Sequence, residues 1–288
     1  MSSTATRALP PGVRLTLRRR VLGQQPVPAL DPSQRAVVEH RDGPLRVIGA
    51  PGTGKTTALV EAVVARVDRD GLAAGEVLVL APTRVAAARL RELVTSRLGR
   101  TVTEPLARTP ASFAFGVLRQ VAVLAGEPPP RLIAGPEQDL VLRELLAGHA
   151  AGEGAAPDWP PGVRAALGAR GFRTELRDLL MRAVERGLDD DELARLGREH
   201  ARPDWVAAAT VLGEYLGVTG LATPGAYDPA SIAGTAAGEL AADDDLLRRV
   251  RAQARFIAVD DAHELTPAAA DLLRLVAGPG GPLLLVGD

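Results

Sequence analysis

The apolar positions of this chain change period along its length. Residues 45–48 form a short, mainly apolar run between Gly43-Pro44 and Gly49, which predicts a buried strand feeding a glycine-rich loop. Residues 57–67 then carry apolar side chains at helical spacing, and 77–81 give a second continuous apolar run of strand length. Over 85–98 the pattern is helical again, with Leu90, Leu93 and Val94 on one side and arginines between them. Strand, loop, helix, strand, helix predicts a parallel sheet with crossover helices, because parallel neighbours need a long connection between them. A third helical stretch is expected at 111–124, and Gly126-Glu127-Pro128-Pro129-Pro130 then makes a stiff break.

Beyond that break, residues 132–225 show helical patterns at 138–146, 173–184 and 205–216 and no run that reads as a strand. Strand-like runs return at 256–259, ending in Asp260-Asp261, and at 283–286, ending in Gly287-Asp288. The expected fold class is α/β, a parallel sheet interrupted by an all-helical domain. Its expected parts are an N-terminal arm over 1–29 with one strand at 13–17, an α/β segment over 30–125, a helical insertion over 126–225 and a second α/β segment over 226–288. A chain that stops one residue after a buried strand reads as a piece of a longer protein, since the next crossover would be missing.

Composition excludes several classes. With 46% hydrophobic residues in 288, the chain can bury a sizeable core, most simply as two domains. A net charge of -1 does not fit a protein coated in nucleic acid, so any contact with DNA must be local. The absence of cysteine rules out disulfides, thiolate zinc sites and a cysteine nucleophile, and suits a reducing cytoplasm. The four histidines are scattered without metal-ligand spacing. No stretch of 18 or more apolar residues predicts a membrane span, and Arg7, Arg14, Arg18, Arg19 and Arg20 precede no apolar run of a signal peptide. Of the 34 lysines and arginines, Lys55 alone is lysine. A drift toward arginine that spared one position implies a need there for a compact ammonium on a flexible stem rather than a planar fork.

That lysine lies in Gly49-Ala50-Pro51-Gly52-Thr53-Gly54-Lys55-Thr56, which fits G-x-x-x-x-G-K-[ST] in full, after a predicted strand and before a predicted helix. The chemistry is that of a phosphate cradle for ATP. Glycines let backbone N–H groups turn inward, the helix start presents its positive end, and Lys55 serves the outer phosphates. Thr56 would place its hydroxyl on Mg2+, with Thr57 beside it at the helix start. A second acidic element is needed, and Asp260-Asp261 at the tip of an apolar strand supplies it: Asp260 for the metal, Asp261 to accept a proton from the attacking water. The same pair also fits a helix cap ahead of residues 265–275.

With these motifs in their order, the chain resembles the UvrD/Rep-like superfamily 1 DNA helicases from Leu30 to Asp288, thinly through the helical insertion. Leu30-Asp31-Pro32-Ser33-Gln34 resembles the Q motif, which implies that Gln34 reads the adenine. Ala81-Pro82-Thr83-Arg84 stands where the family has motif Ia, and Thr109-Pro110-Ala111-Ser112-Phe113-Ala114 is similar to its T-F-H-S-F-A-like element. Together they imply single-stranded DNA contacts from Thr83, Arg84, Thr109, Ser112 and Phe113. Tyr227-Asp228 resembles the motif that closes the insertion, and Gly287-Asp288 the opening of motif III. The resemblance implies a RecA-like sheet, ATP with Mg2+, and movement on single-stranded DNA or a duplex with a single-stranded end, in repair or recombination. It also implies a second motor domain beyond residue 288, so that this chain alone would bind nucleotide weakly and not unwind DNA.

The chain's start, the helix from Arg173 to Leu180 and the arginine-rich composition further resemble the AdnA-type subunit of the actinobacterial helicase-nuclease, which implies a second helicase-nuclease subunit as partner. Motif II departs from the family's D-E-x-Q-D, reading Asp260-Asp261-Ala262-His263-Glu264. An aspartate for the catalytic glutamate withdraws the carboxylate by roughly 1.5 Å, and a misplacement of about 1 Å can cost on the order of a hundredfold in rate. A weak or inactive motor that binds ATP and DNA is therefore the alternative, and a P-loop ATPase unrelated to nucleic acid a further one. Pro82 replaces a base-stacking aromatic of the family. Arg84, Arg89, Arg91 and Arg97, and separately Arg173, Arg177, Arg182 and Arg186, fit either a phosphate-tracking groove or the solvated faces of helices.

Overall fold

The computed structural model describes residues 28–99, 106–222 and 225–288, so the arm strand expected at 13–17 lies outside the described residues. The first helix, α1 (Pro32–Glu39), begins with a capping box. The Asp31 carboxylate accepts the Gln34 N–H at 2.8 Å and the Gln34 side chain accepts the Asp31 N–H at 3.1 Å, with Pro32 at the first helical position. Then follow β1 (Leu45–Ile48), α2 (Lys55–Asp68), a 3-10 turn (Ala74–Glu76), β2 (Val77–Leu80), α3 (Arg84–Leu98), β3 (Ala107–Arg108) and α4 (Pro110–Ala125). The next stretch holds β4 (Arg131–Leu132), α5 (Gly135–Ala151), α6 (Pro161–Arg164), α7 (Arg170–Glu185), α8 (Asp190–Glu199), α9 (Pro203–Ala222) and β5 (Ala226–Tyr227). The chain closes with α10 (Ile232–Ala242), α11 (Asp244–Gln253), β6 (Phe256–Val259), a second 3-10 turn (Ala262–Glu264), α12 (Pro267–Ala277) and β7 (Leu283–Gly287).

Five strands pair in the order β1-β7-β6-β2-β3, all parallel. Their carboxyl ends therefore share one edge, where a doubly covered parallel sheet binds ligands. The strands β2 and β6 are buried on both faces. Val77, Val79, Phe256, Ala258, Leu284 and Val286 pack with α1, α2 and α3, while Leu78, Leu80, Ile257, Val259 and Leu283 pack with α4, α10, α11 and α12. This is the expected α/β, RecA-like arrangement. A buried ion pair fixes α2 against α3: both oxygens of Glu61 accept from the Arg97 guanidinium, at 2.5 and 2.8 Å.

The expectation of a buried first strand is corrected. Because β1 lies at the sheet edge, Leu45 and Val47 pack inward but Ile48 is 64% exposed. The two-residue strands β3, β4 and β5 and the helices α8, α10 and α11 add to what the pattern predicted. Four helices, α5, α7, α8 and α9, enclose a core of their own around Leu142, Leu180, Leu212 and Tyr215, separate from both sheet layers. The parallel pair β4–β5 lies where the chain enters and leaves this helical body. Among the described residues no helix is long and apolar enough to cross a membrane.

A single carboxylate ties the helical body to the returning chain. Asp228, almost fully buried, accepts from Gln138 Nε2 of α5 at 2.6 Å and from the Tyr215 hydroxyl of α9 at 2.9 Å, and its own carbonyl accepts the Ser231 N–H ahead of α10. Burial pushes the Tyr215 phenol well above its ordinary range, and the nearby Asp228 adds to the shift. Asp228→Ala leaves two buried donors unpaired and is expected to cost about 3 kcal/mol in urea unfolding. Asp228→Asn, which keeps an accepting oxygen, should cost clearly less.

Candidate functional site

The loop after β1 is shaped by two glycines. Gly54, at φ +82°, caps α2 in a left-handed conformation, and a Cβ there would come within 2.3 Å of Gln34 Nε2. A Cβ on Gly49 would meet Thr53 Oγ1 at 2.9 Å. That hydroxyl instead donates to the Ala50 carbonyl at 2.8 Å, holding the loop in a tight curve. No side chain caps the start of α2, so its first N–H groups face the loop as a site for an anion. Lys55, the first residue of α2, donates from Nζ to the carbonyls of Gly49 at 2.5 Å and Ala50 at 3.1 Å and to Asp288 Oδ1 at 2.6 Å. Pro51 and Gly52 form the exposed crown, and Thr57 is exposed on the first turn of α2.

Thr56 points the other way, to the end of β6. Its hydroxyl donates to the Asp260 carboxylate, 3.0 Å from Oδ2 and 3.2 Å from Oδ1. Burial pushes the Asp260 carboxyl up; Asp261 adds to this, while the Thr56 hydrogen bond and the Lys55 charge pull the other way. The next residue, Asp261, takes a left-handed conformation (φ 48°, ψ 47°), which turns the chain sharply out of the strand into the Ala262–Glu264 turn. His263 in that turn accepts the Asp288 N–H on Nδ1 at 3.3 Å, linking motif II to the end of β7. The structure thus brings together Lys55, Thr56, Asp260, Asp261 and Asp288, from the carboxyl ends of three adjacent strands.

These residues fit magnesium and a polyphosphate. Among the described residues no cluster of three or more His, Cys, Asp or Glu side chains forms a closed metal cage. A hydroxyl and one buried carboxylate beside an anion-binding helix start are what a hard cation shared with phosphate oxygens requires. Gln34 is placed at the loop, its amide donating to the Thr53 carbonyl at 3.2 Å while its oxygen serves the α1 capping box. It therefore ties the loop to α1, a contact that its motif alone did not announce.

A cleft of about 990 Å³ opens beside the aspartates, along the ends of β2, β3 and β6 and reaching Leu132 and Glu185 of the helical body. Arg84, Arg91, Arg108, Ser112 and Phe115 line it. Thr109 also lines it, whereas Thr83 does not; both are helix caps, their hydroxyls accepting from the N–H groups of Ser112 and Ala86, each at 3.1 Å. Phe113 is corrected as a surface residue: it is 8% exposed and packs in the core, whereas Phe115 reaches the cleft. Arg97 is likewise removed from any groove by its pairing with Glu61, and Arg173 pairs with Asp139 at 3.0 Å. Among the residues that line the cleft, Arg108 and Phe115 were not singled out by the sequence motifs.

The raised Asp260 carboxyl has a stability consequence. A carboxyl whose folded pKa lies above its unfolded value favours folding at low pH, and that contribution is lost as pH rises through the folded pKa. Asp260→Asn removes the buried charge but keeps an acceptor for Thr56. In magnesium-free buffer at pH 7 it is expected to stabilise the chain by about 1 kcal/mol. In urea titrations this gain should shrink as pH falls through the Asp260 pKa.

Known proteins have related sequences. Residues 30–288 match the family described as UvrD/REP helicase N-terminal domain. The chain is 27% identical over 270 residues to the ATP-dependent DNA helicase UvrD1 of Mycobacterium leprae (strain TN), covering 90% of this chain and 33% of that protein. The proteins of the same name from Mycobacterium bovis (strain ATCC BAA-935 / AF2122/97) and Mycobacterium tuberculosis (strain ATCC 25618 / H37Rv) are also 27% identical, over 296 residues, covering 100% of this chain and 35% of theirs. The chain thus spans about a third of the length of these relatives. Since the matched span takes in the loop, both aspartates and all five strands of the sheet, the chain belongs to the UvrD/REP helicase N-terminal domain family.

Proposed function

We propose that this chain is the ATP-binding part of a DNA helicase motor that couples ATP hydrolysis to movement on single-stranded DNA in repair or recombination. The observation that carries the proposal is the contact of Thr56 with Asp260, 204 residues apart in sequence, beside an uncapped helix start. In this reading the loop N–H groups from Gly49 to Thr56 hold the phosphates and Lys55 neutralises the outermost ones. Thr56 and Asp260 hold Mg2+, which when bound neutralises charge on the outer phosphate oxygens. Asp261 accepts a proton from the attacking water, and Gln34 reads the adenine. The cleft with Arg84, Arg91 and Arg108 takes the DNA strand. With Phe115 as the one aromatic beside three arginines in its lining, it would grip phosphates more than stack on bases.

In the same reading, residues 30–125 and 226–288 form the motor unit, 126–225 the inserted DNA-contacting domain, and the setting is cytoplasmic. A second reading is favoured by one feature, the short Asp261 carboxylate in place of glutamate: a subunit that binds ATP and DNA while a partner helicase-nuclease subunit supplies the movement. The partner would be of the kind that accompanies AdnA-type subunits.

Titration with a fluorescent ATP analogue and Mg2+ is expected to show weak, saturable binding that Lys55→Ala reduces by about tenfold or more. Because the chain spans about a third of its helicase relatives, it should not separate strands by itself, and robust unwinding by it would refute the reading that it is only the ATP-binding part of a motor. In a complete motor built on this chain, Asp261→Glu should raise DNA-stimulated turnover by about tenfold if the motor is merely detuned. No gain favours the binding-only reading. Single-stranded DNA affinity should fall with salt, and Arg84→Ala should lower the slope of log K against log salt by about 0.7.

A further inference from the structure

The ammonium of Lys55 already has a full set of partners within the chain. Two are the loop carbonyls of Gly49 and Ala50, and the third is the carboxylate of Asp288, which lies just past β7 and is half exposed. The Lys55 hydrogen bond also holds the Asp288 carboxyl below its ordinary range. Backbone and side chain of Asp288 serve different neighbours: its N–H donates to His263 Nδ1 in the turn that follows Asp260-Asp261. There is little slack between them, since a Cβ on Gly287 would lie 3.1 Å from that same His263 nitrogen. Phosphate oxygens that claim the Lys55 ammonium must compete with Asp288.

We propose that Asp288 is a positioning residue for Lys55: its carboxylate holds the ammonium at the loop mouth, and phosphate binding releases it. The release step rests on the nucleotide reading above; the tether itself does not. Because the ion pair is partly exposed, the competition it offers is modest, and removing it should tighten nucleotide binding by about threefold. The direction is opposite to that expected for a residue that contacts the nucleotide.

The single lysine makes the tether directly visible. Lysine labelled with carbon-13 at Cε gives one side-chain signal in this chain, that of Lys55. Without nucleotide, its two ε protons should be inequivalent, and Asp288→Asn should move the signal toward that of free lysine. A non-hydrolysable ATP analogue with Mg2+ should move the wild-type signal as well. In binding titrations, Asp288→Asn should bind the analogue about threefold tighter than wild type, but should change nothing further in a Lys55→Ala background. An Asp288→Asn signal that coincides with wild type, or the same affinity change in both backgrounds, overturns the proposal. If Asp288→Asn moves the signal and the analogue does not, the tether stands and the nucleotide reading fails.

Discussion

The hydrogen bond from Thr56 to Asp260 exists only because β1, β7 and β6 run parallel and in register. The loop that leaves β1 and the acidic tip that ends β6 are carried to the same edge, with the end of β7 between them. Reversing either strand would send one of these groups to the opposite edge of the sheet. The sheet is held to that register by strands buried on both faces, so a slip would move apolar side chains between two different helix layers. Placement of the chemistry and stability of the core are therefore one constraint. Its cost is borne at Asp260, whose carboxyl sits in a poorly solvated position and is eased by a hydroxyl and by the neighbouring lysine charge.

What could be read from sequence follows from how much apolar pattern each element carries. The strands β2, β6 and β7 are continuous apolar runs, and the glycine-rich loop between β1 and α2 is a contiguous motif, so both were legible. The strands β3, β4 and β5 are two residues each, too short for any period to show. Helix α8 buries only Leu193 and Gly197 under a strongly charged surface, so its apolar face is a narrow stripe. Edge position was illegible as well, because Leu45 to Ile48 would look the same in the middle of the sheet. The choice between Phe113 and Phe115 shows the limit most plainly. Two positions apart on a helix, they lie on nearly opposite sides, and only the angle at which α4 docks decides which one is buried.

Charges sorted themselves by reach and partner, not by clustering along the chain. Arg97 and Arg84 both belong to α3, yet one is locked into a buried pair with Glu61 while the other faces the cleft. Near-neutral composition is compatible with such a cleft, because neutralised arginines elsewhere add nothing to the field there. The long-range contacts of Gln34 and Asp288 were also beyond reach of a motif reading. Each uses one side chain or one residue for two jobs, and only the packing of α1 and β7 against the loop assigns the second job.

The departure in motif II has a backbone counterpart. Asp261 stands in the left-handed region, which costs most residues energy and which aspartate tolerates better than longer side chains because its short carboxylate can bond locally. Aspartate is thus the easier residue for this turn and, in the role proposed for it, the harder one for reaching an attacking water. A glutamate here would recover about one methylene of reach while adding strain to a turn that also orients His263 toward Asp288. Reach and turn geometry are set by the same residue, so in the proposed motor the rate of the chemical step could not be tuned without disturbing the contact from this turn to the end of β7.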